Sequence, residues 1–202
     1  MWSWLKRGAR RAAGSAGPAA TLAVFGKHPG WDDHMPDFGV TSEILAELKQ
    51  NIYVAGIGGQ IDSGAWERLE PDKRLDGFDH SFLWTQGSHT VLGQLWSSTD
   101  RKGRAKYPMG ACIQLENLRL ETVFETARLL TDQVRDACRA TTSADHVMLS
   151  CRAAQDQLNQ WIARTGTAPR TDAIDSEDTR QFLRAPAFQP DSLGLLLVLH
   201  EL

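Results

Sequence analysis

Three apolar runs follow one another between residues 81 and 115, separated only by short polar turns, and no other stretch limits the possible fold as strongly. Ser81-Phe-Leu-Trp-Thr and Thr90-Val-Leu-Gly-Gln-Leu-Trp are rich in β-branched and aromatic side chains, and Gln86-Gly-Ser-His89 between them reads as a hairpin turn. A third run, 107–115, follows the polar segment 97–104. Neither gap is long enough for a crossover helix, so the three strands must run antiparallel in succession.

The flanks supply the remaining layers. Residues 21–25 form a short apolar strand ended by Gly26. Thr41 or Ser42 caps a helix whose Ile44, Leu45, Leu48 and Ile52 share one face. The capping-box pattern Thr122-x-x-Glu125 predicts the start of a helix with Phe124, Ala127, Leu130, Val134 and Ala137 on its apolar face. A second helix is expected over 155–164 with Gly166 as its stop, and a shorter third from Ser176 to before Pro186. The run 192–200 is continuously apolar, which predicts a central strand covered on both faces, so truncation there should unfold the domain. The order β-α-β-β-β-α-α-α-β predicts an α/β fold in which a mixed, mostly antiparallel central sheet is flanked by helices in three layers, α-β-α. A chain of 202 residues, 42% of them hydrophobic, can bury such a core as one domain over 21–202, behind a basic leader over 1–20.

Charge and cysteine usage exclude several classes. The net charge is −3, and Lys6, Arg7, Arg10 and Arg11 supply four cations without an acid in the leader, leaving −3 − 4 = −7 on the rest. Such an acidic body predicts no nucleic-acid binding. Cys112, Cys138 and Cys151 are odd in number with no CxxC pair, which fits a reducing, cytoplasmic setting. No apolar run approaches the roughly 18 residues of a membrane span. Two readings fit residues 1–11: a weak contact of Trp2, Trp4 and the four cations with an anionic inner membrane leaflet, or a solvated tail leading into the linker 12–20.

Two loops concentrate reactive side chains. Gly26-Lys-His-Pro-Gly-Trp-Asp-Asp-His34 follows the first strand directly and matches neither a phosphate loop nor a dinucleotide fingerprint. His28, Asp32, Asp33 and His34, joined by His80 or Asp100, could hold a divalent metal that activates water for hydrolysis; alternatively, the same groups cap the turn. The second loop, 97–108, places Asp100 to close an Asx-turn and Gly103 to adopt a positive φ. Arg104 there can fork onto a partner's carboxylate or phosphate, or pair internally with Asp33 or Asp100. No Gly-x-Ser-x-Gly elbow or activated cysteine is present, Trp31, Trp66, Trp84 and Trp96 read as core or interface anchors, and no cofactor is expected.

Together the two loops resemble the TagF family associated with bacterial type VI secretion. Gly26, Lys27, Pro29 and Asp33 match its Gly-Lys-x-Pro-x-x-Gly-Asp element, with Asp32 in place of the second glycine; Ser98, Asp100, Gly103, Arg104 and, one place late, Pro108 match Pro-Ser-x-Asp-x-x-Gly-Arg-x-x-Pro. Trp66 falls where the family tends to carry a tryptophan. The resemblance covers about residues 22–114, and Ser97 departs from it where a proline is usual. It implies an α/β fold and a cytoplasmic, non-enzymatic accessory protein that restrains assembly of the secretion apparatus after translation by binding a forkhead-associated-domain scaffold or another type VI component. The motif residues would then serve architecture or recognition, and a binding surface is expected around Lys27, Trp31 and Arg104.

Overall fold

The computed structural model describes residues 19–65, 68, 77, 79–86, 89–118, 120–165 and 197–200. β1 (Ala19–Gly26), β2 (Asp79–Gln86), β3 (His89–Trp96), β4 (Met109–Glu116) and β5 (Leu197–His200) form one sheet in the order β1-β4-β3-β2-β5. β2, β3 and β4 are the expected antiparallel succession, and β1 joins antiparallel on the free side of β4. β5 pairs parallel with β2. This corrects the central placement expected for the C-terminal run: among the described residues β5 is an edge strand of four residues, because β3 already occupies the other side of β2. The truncation expectation loses its basis with that placement.

Alternation along the strands divides the core. Leu22 and Val24 of β1, Leu92 and Trp96 of β3, and Ala111, Ile113 and Leu115 of β4 face one cluster. Ala23, Phe25, Val91, Leu95 and Cys112 face the other. The first cluster is covered by α3 (Leu120–Ala140) and α4 (Ala144–Thr165) through Val123, Ala127, Val134, Val147, Cys151 and Leu158. The second is covered by α1 (Glu43–Leu48) and a π-helix over Lys49–Gly58, which passes into α2 (Gly59–Asp62). The three-layer α/β architecture follows from these two covered faces.

A buried glutamine ties a helix to each face. Gln94 of β3 donates to Asp132 of α3 at 2.7 Å and accepts from Arg135 at 3.1 Å. Gln114 of β4 accepts from the hydroxyl of Ser42, which is also the cap of α1 and accepts from the Leu45 N–H at 3.1 Å. Two helix starts differ from the sequence reading. α3 begins at Leu120, so Thr122 lies inside its first turn rather than capping it; the chain turns at Asn117, whose φ is +55°. α4 begins at Ala144, where Ser143 accepts from the His146 N–H, well before residue 155. The expected third helix (176–186), Gly166, Trp66 and residues 1–18 lie outside the described residues. No helix among the described residues is long and apolar enough to cross a membrane.

The outer edge of β1 is closed by side chain and loop. Val24 exchanges both backbone hydrogen bonds with Phe38 at 2.9 Å, and the Gly26 carbonyl accepts from Met35 at 2.9 Å. Further along, the Gln155 side-chain amide of α4 accepts from the Leu22 N–H at 2.7 Å and donates to the Ala20 carbonyl at 3.3 Å. These contacts satisfy edge groups that would otherwise template pairing with another chain.

Candidate functional site

β1 and β4 end side by side, Gly26 opposite Met109, so the loops that follow β1 and precede β4 emerge at the same end of the sheet. The first loop folds back on itself: Lys27 and His34 form an isolated bridge, the Trp31 N–H donates to the His28 carbonyl at 3.0 Å, and the Lys27 N–H reaches the Pro108 carbonyl at 3.1 Å. The second loop winds around Asp100. One oxygen of its carboxylate accepts from the N–H groups of Lys102 and Arg104 at 2.9 and 3.0 Å, the Asx-turn expected from the sequence. The Gly103 N–H donates to the Asp100 carbonyl at 2.9 Å, and its φ of +75° is the left-handed conformation that the turn requires.

The other oxygen of Asp100 accepts from the Lys27 ammonium at 3.0 Å and the Arg104 Nε at 2.6 Å. Asp100 and Lys27 are both buried. Burial opposes the charge on Asp100, yet the Arg104 N–H and the Lys27 and Arg104 cations outweigh it and hold the carboxyl below its ordinary value of 3.8. Arg104 extends the network outward, donating to the Asp32 carbonyl at 2.7 Å and approaching Asp33 Oδ1 at 3.4 Å. Asp33 also stands 3.6 Å from Lys27 and 3.1 Å from the His34 Nδ1. Desolvation opposes its charge, but His34, Lys27 and Arg104 together outweigh it and lower its carboxyl's pKa. Arg101 bridges to Asp32 at 3.1 Å, donates to the Gly30 carbonyl, and has its own N–H fixed on the Trp31 carbonyl at 2.8 Å.

Beneath this network lies an aromatic cluster that sequence reasoning did not find. Tyr53 of the π-helix, His34 and Tyr107 have ring centroids 5.3 to 6.0 Å apart, and the Lys27 ammonium sits 5.7 Å from the centre of the Tyr107 ring. The Tyr53 hydroxyl donates to the Pro108 carbonyl at 3.0 Å, and burial raises the pKa of its phenol. Nothing local in the sequence marks Tyr53, since only the folding of the π-helix beneath β4 brings it there.

The motif residues therefore meet as one unit. Gly26, Lys27, Asp33, Asp100, Gly103, Arg104 and Pro108 touch one another directly or through one neighbour. Pro29 and Ser98 are half-buried beside them in the chain. Both internal pairings foreseen for Arg104, with Asp33 and with Asp100, are present. The expected surface needs one correction: Lys27 is buried under the loop, because Asp100 and Tyr107 enclose its ammonium, and so it offers nothing to a partner. Trp31 is half-buried against the core beneath α3 and α4, while Arg104 is half-exposed.

The metal set of His28, Asp32, Asp33, His34 and His80 does not assemble. His28 is buried with both ring nitrogens used: Nδ1 accepts from the Gly30 N–H at 2.9 Å, which leaves Nε2 to carry the proton and donate to the Cys138 carbonyl at 2.9 Å. His80 lies on β2, three strands from β1 in the row Phe25, Gly110, Leu95, His80, about 14 Å away at the usual strand spacing. Asp32 and His34 are turned to Arg101 and Asp33. Among the described residues, no three His, Cys, Asp or Glu side chains converge where a metal could sit.

The chain was compared with protein-family models, with characterised proteins and with solved structures. It matches none of them. The site is therefore read from its own chemistry, in which charged groups tie two loops to one another.

That arrangement has a pH signature. Burial lowers the pKa of His28 below its ordinary 6.5, against the opposing pull of the Cys138 and Thr141 carbonyls. The unfolded chain then takes up this proton before the folded one, so stability is complete above pH 6.5 and declines as pH falls below it. A single such group has a limiting slope of about 1.4 kcal/mol per pH unit. Chemical denaturation of the wild type between pH 7.5 and 5 should show that decline, and His28→Gln should flatten it. Parallel curves for the two proteins would show that His28 does not titrate in this way.

Proposed function

We propose that this chain is a TagF-like accessory protein of bacterial type VI secretion that acts in the cytoplasm by binding another protein rather than by catalysis. One observation carries the reading: the two motif segments, with Lys27 and Asp100 separated by 73 positions, close on each other through a buried ion pair and present a single rigid charged surface. Preorganised loops of this kind suit recognition, because little ordering remains to be done when a partner arrives. The site's polar groups are committed to one another, and a hydrolase reading finds no support in how they are turned. The three cysteines are free and buried, each thiol's pKa pushed up by burial to about 12, which accords with a reducing setting. A forkhead-associated-domain scaffold is the partner that the family resemblance implies, and restraint of apparatus assembly is the corresponding role.

The test is affinity purification of the tagged full chain from its native cytoplasm, read by mass spectrometry, with metal content measured on the same sample. Enrichment of a forkhead-associated-domain protein or another secretion component is expected. Stoichiometric zinc, manganese or iron without any such component would overturn the reading.

A further inference from the structure

The loop before β4 carries four exposed cations in six positions, Arg101, Lys102, Arg104 and Lys106, with no acid among them, on a chain whose net charge is negative. Its nearest acid in sequence, Asp100, is turned inward and consumed by Lys27, Arg104 and two backbone N–H groups. The backbone over 101–104 is held by Asp100 and by the Trp31 carbonyl, so Arg101, Lys102 and Arg104 project from a fixed base. Two of them already hold carboxylates: Asp32 lies 3.1 Å from Arg101 and Asp33 lies 3.4 Å from Arg104, with both aspartate side chains more than 60% exposed. Lys102 makes no ion pair among the described residues.

Resting on the protein-binding reading above, we propose that Arg101, Lys102 and Arg104 form a docking site for an acidic segment of the partner protein, with the Asp32 carboxylate as a displaceable internal occupant. Guanidinium groups can fork onto carboxylates with a geometry that an ammonium cannot reproduce, and each of these two already makes one contact with an exposed carboxylate. Exposed intramolecular ion pairs are worth little in water. A partner carboxylate therefore displaces Asp32 at small cost while gaining the charge of Lys102, which pairs with no acid among the described residues. Salt sensitivity follows, because the contact is made at the rim by exposed charges.

The test uses the full chain and a fluorescein-labelled, glutamate-rich decapeptide, followed by fluorescence anisotropy at 50 and 200 mM salt. Binding is expected to weaken as salt is raised. Arg101→Glu combined with Lys102→Glu should weaken it about tenfold or more, and Asp32→Asn should strengthen it by up to about fivefold, the measured range for one exposed ion pair. All three positions are exposed, and melting curves superimposable on the wild type establish that any change lies in binding. Unaltered peptide affinity in the charge-reversed variant would overturn the proposal. So would tighter binding of anionic vesicles or single-stranded DNA through the same residues. The two readings fail separately. A secretion component still recovered by the charge-reversed chain removes the docking site and keeps the accessory role. Arg101-dependent peptide binding, with no secretion component recovered by the wild type, does the reverse.

Discussion

Asp100→Ala should lower the melting temperature by roughly 10 °C, the largest loss expected from any single side chain in the loop pair. The substitution removes four hydrogen-bond acceptances at once: two from the turn N–H groups of Lys102 and Arg104, one from Arg104 Nε and one from the Lys27 ammonium. What remains is a buried ammonium without its nearest counter-charge, and that orphaned charge costs more than the pair itself contributes. Lys27→Met should be milder, since Arg104 and the two N–H groups still satisfy Asp100. The double variant should cost less than the sum of the singles, because both act through one network. Acid should reproduce part of the effect. With its folded pKa held below 3.8, Asp100 contributes stability that is present above that value and is lost as pH falls through and beneath it. Asp100→Asn should therefore show a shallower acid decline than the wild type. Thermal melts from pH 7 to 2.5 check both statements, and an Asp100→Ala protein that melts with the wild type would refute the clamp.

Gly26→Ala should destabilise by about 3 kcal/mol for a different reason, backbone geometry. Gly26 has φ +116°, and a Cβ built there would stand 2.4 Å from the Pro108 carbonyl oxygen and 2.8 Å from the Met109 Cα. Neither is the end of a flexible side chain, so β1 and β4 would have to separate where both loops begin. The close approach is what allows the Lys27 N–H to reach Pro108 and its ammonium to reach Asp100. Gly103 provides the control. Its φ is +75° but nothing stands within 4 Å of a Cβ there, so Gly103→Ala should cost only the conformational penalty of about 1 kcal/mol. Urea titrations of the two variants should separate by that difference, and equal losses would show that φ alone matters at Gly26.

The strands of the meander were legible because alternating and apolar runs bounded by turn residues encode local structure, and β2, β3 and β4 fall where those runs do. The Ser42 cap and the Asp100 turn were legible for the same local reason. Features decided by distant partners were not. The continuous apolarity of 192–200 suggested a strand covered on both faces, but its neighbours are set by how the chain returns to β2, which no local pattern records. Donor-rich composition likewise made His28 look like a ligand, although one side of its ring is spent on the Gly30 N–H and the other on the end of α3. The π-helix and its Tyr53, and the Gln155 amide on β1, carry no sequence signal that separates them from an ordinary helix or an ordinary surface glutamine.

The closed edge of β1 also bears on the manner of the recognition proposed above. Phe38, Met35 and Gln155 already occupy backbone positions that an incoming strand would need, so a partner on this side cannot add itself to the sheet and gain affinity from main-chain pairing. Main-chain pairing tolerates many sequences, whereas charges at the tips of fixed loops discriminate among them. For the protein-binding role proposed above, the vocabulary left at this end of the molecule is therefore one of side chains, and a single charge reversal in either partner should change which proteins are accepted.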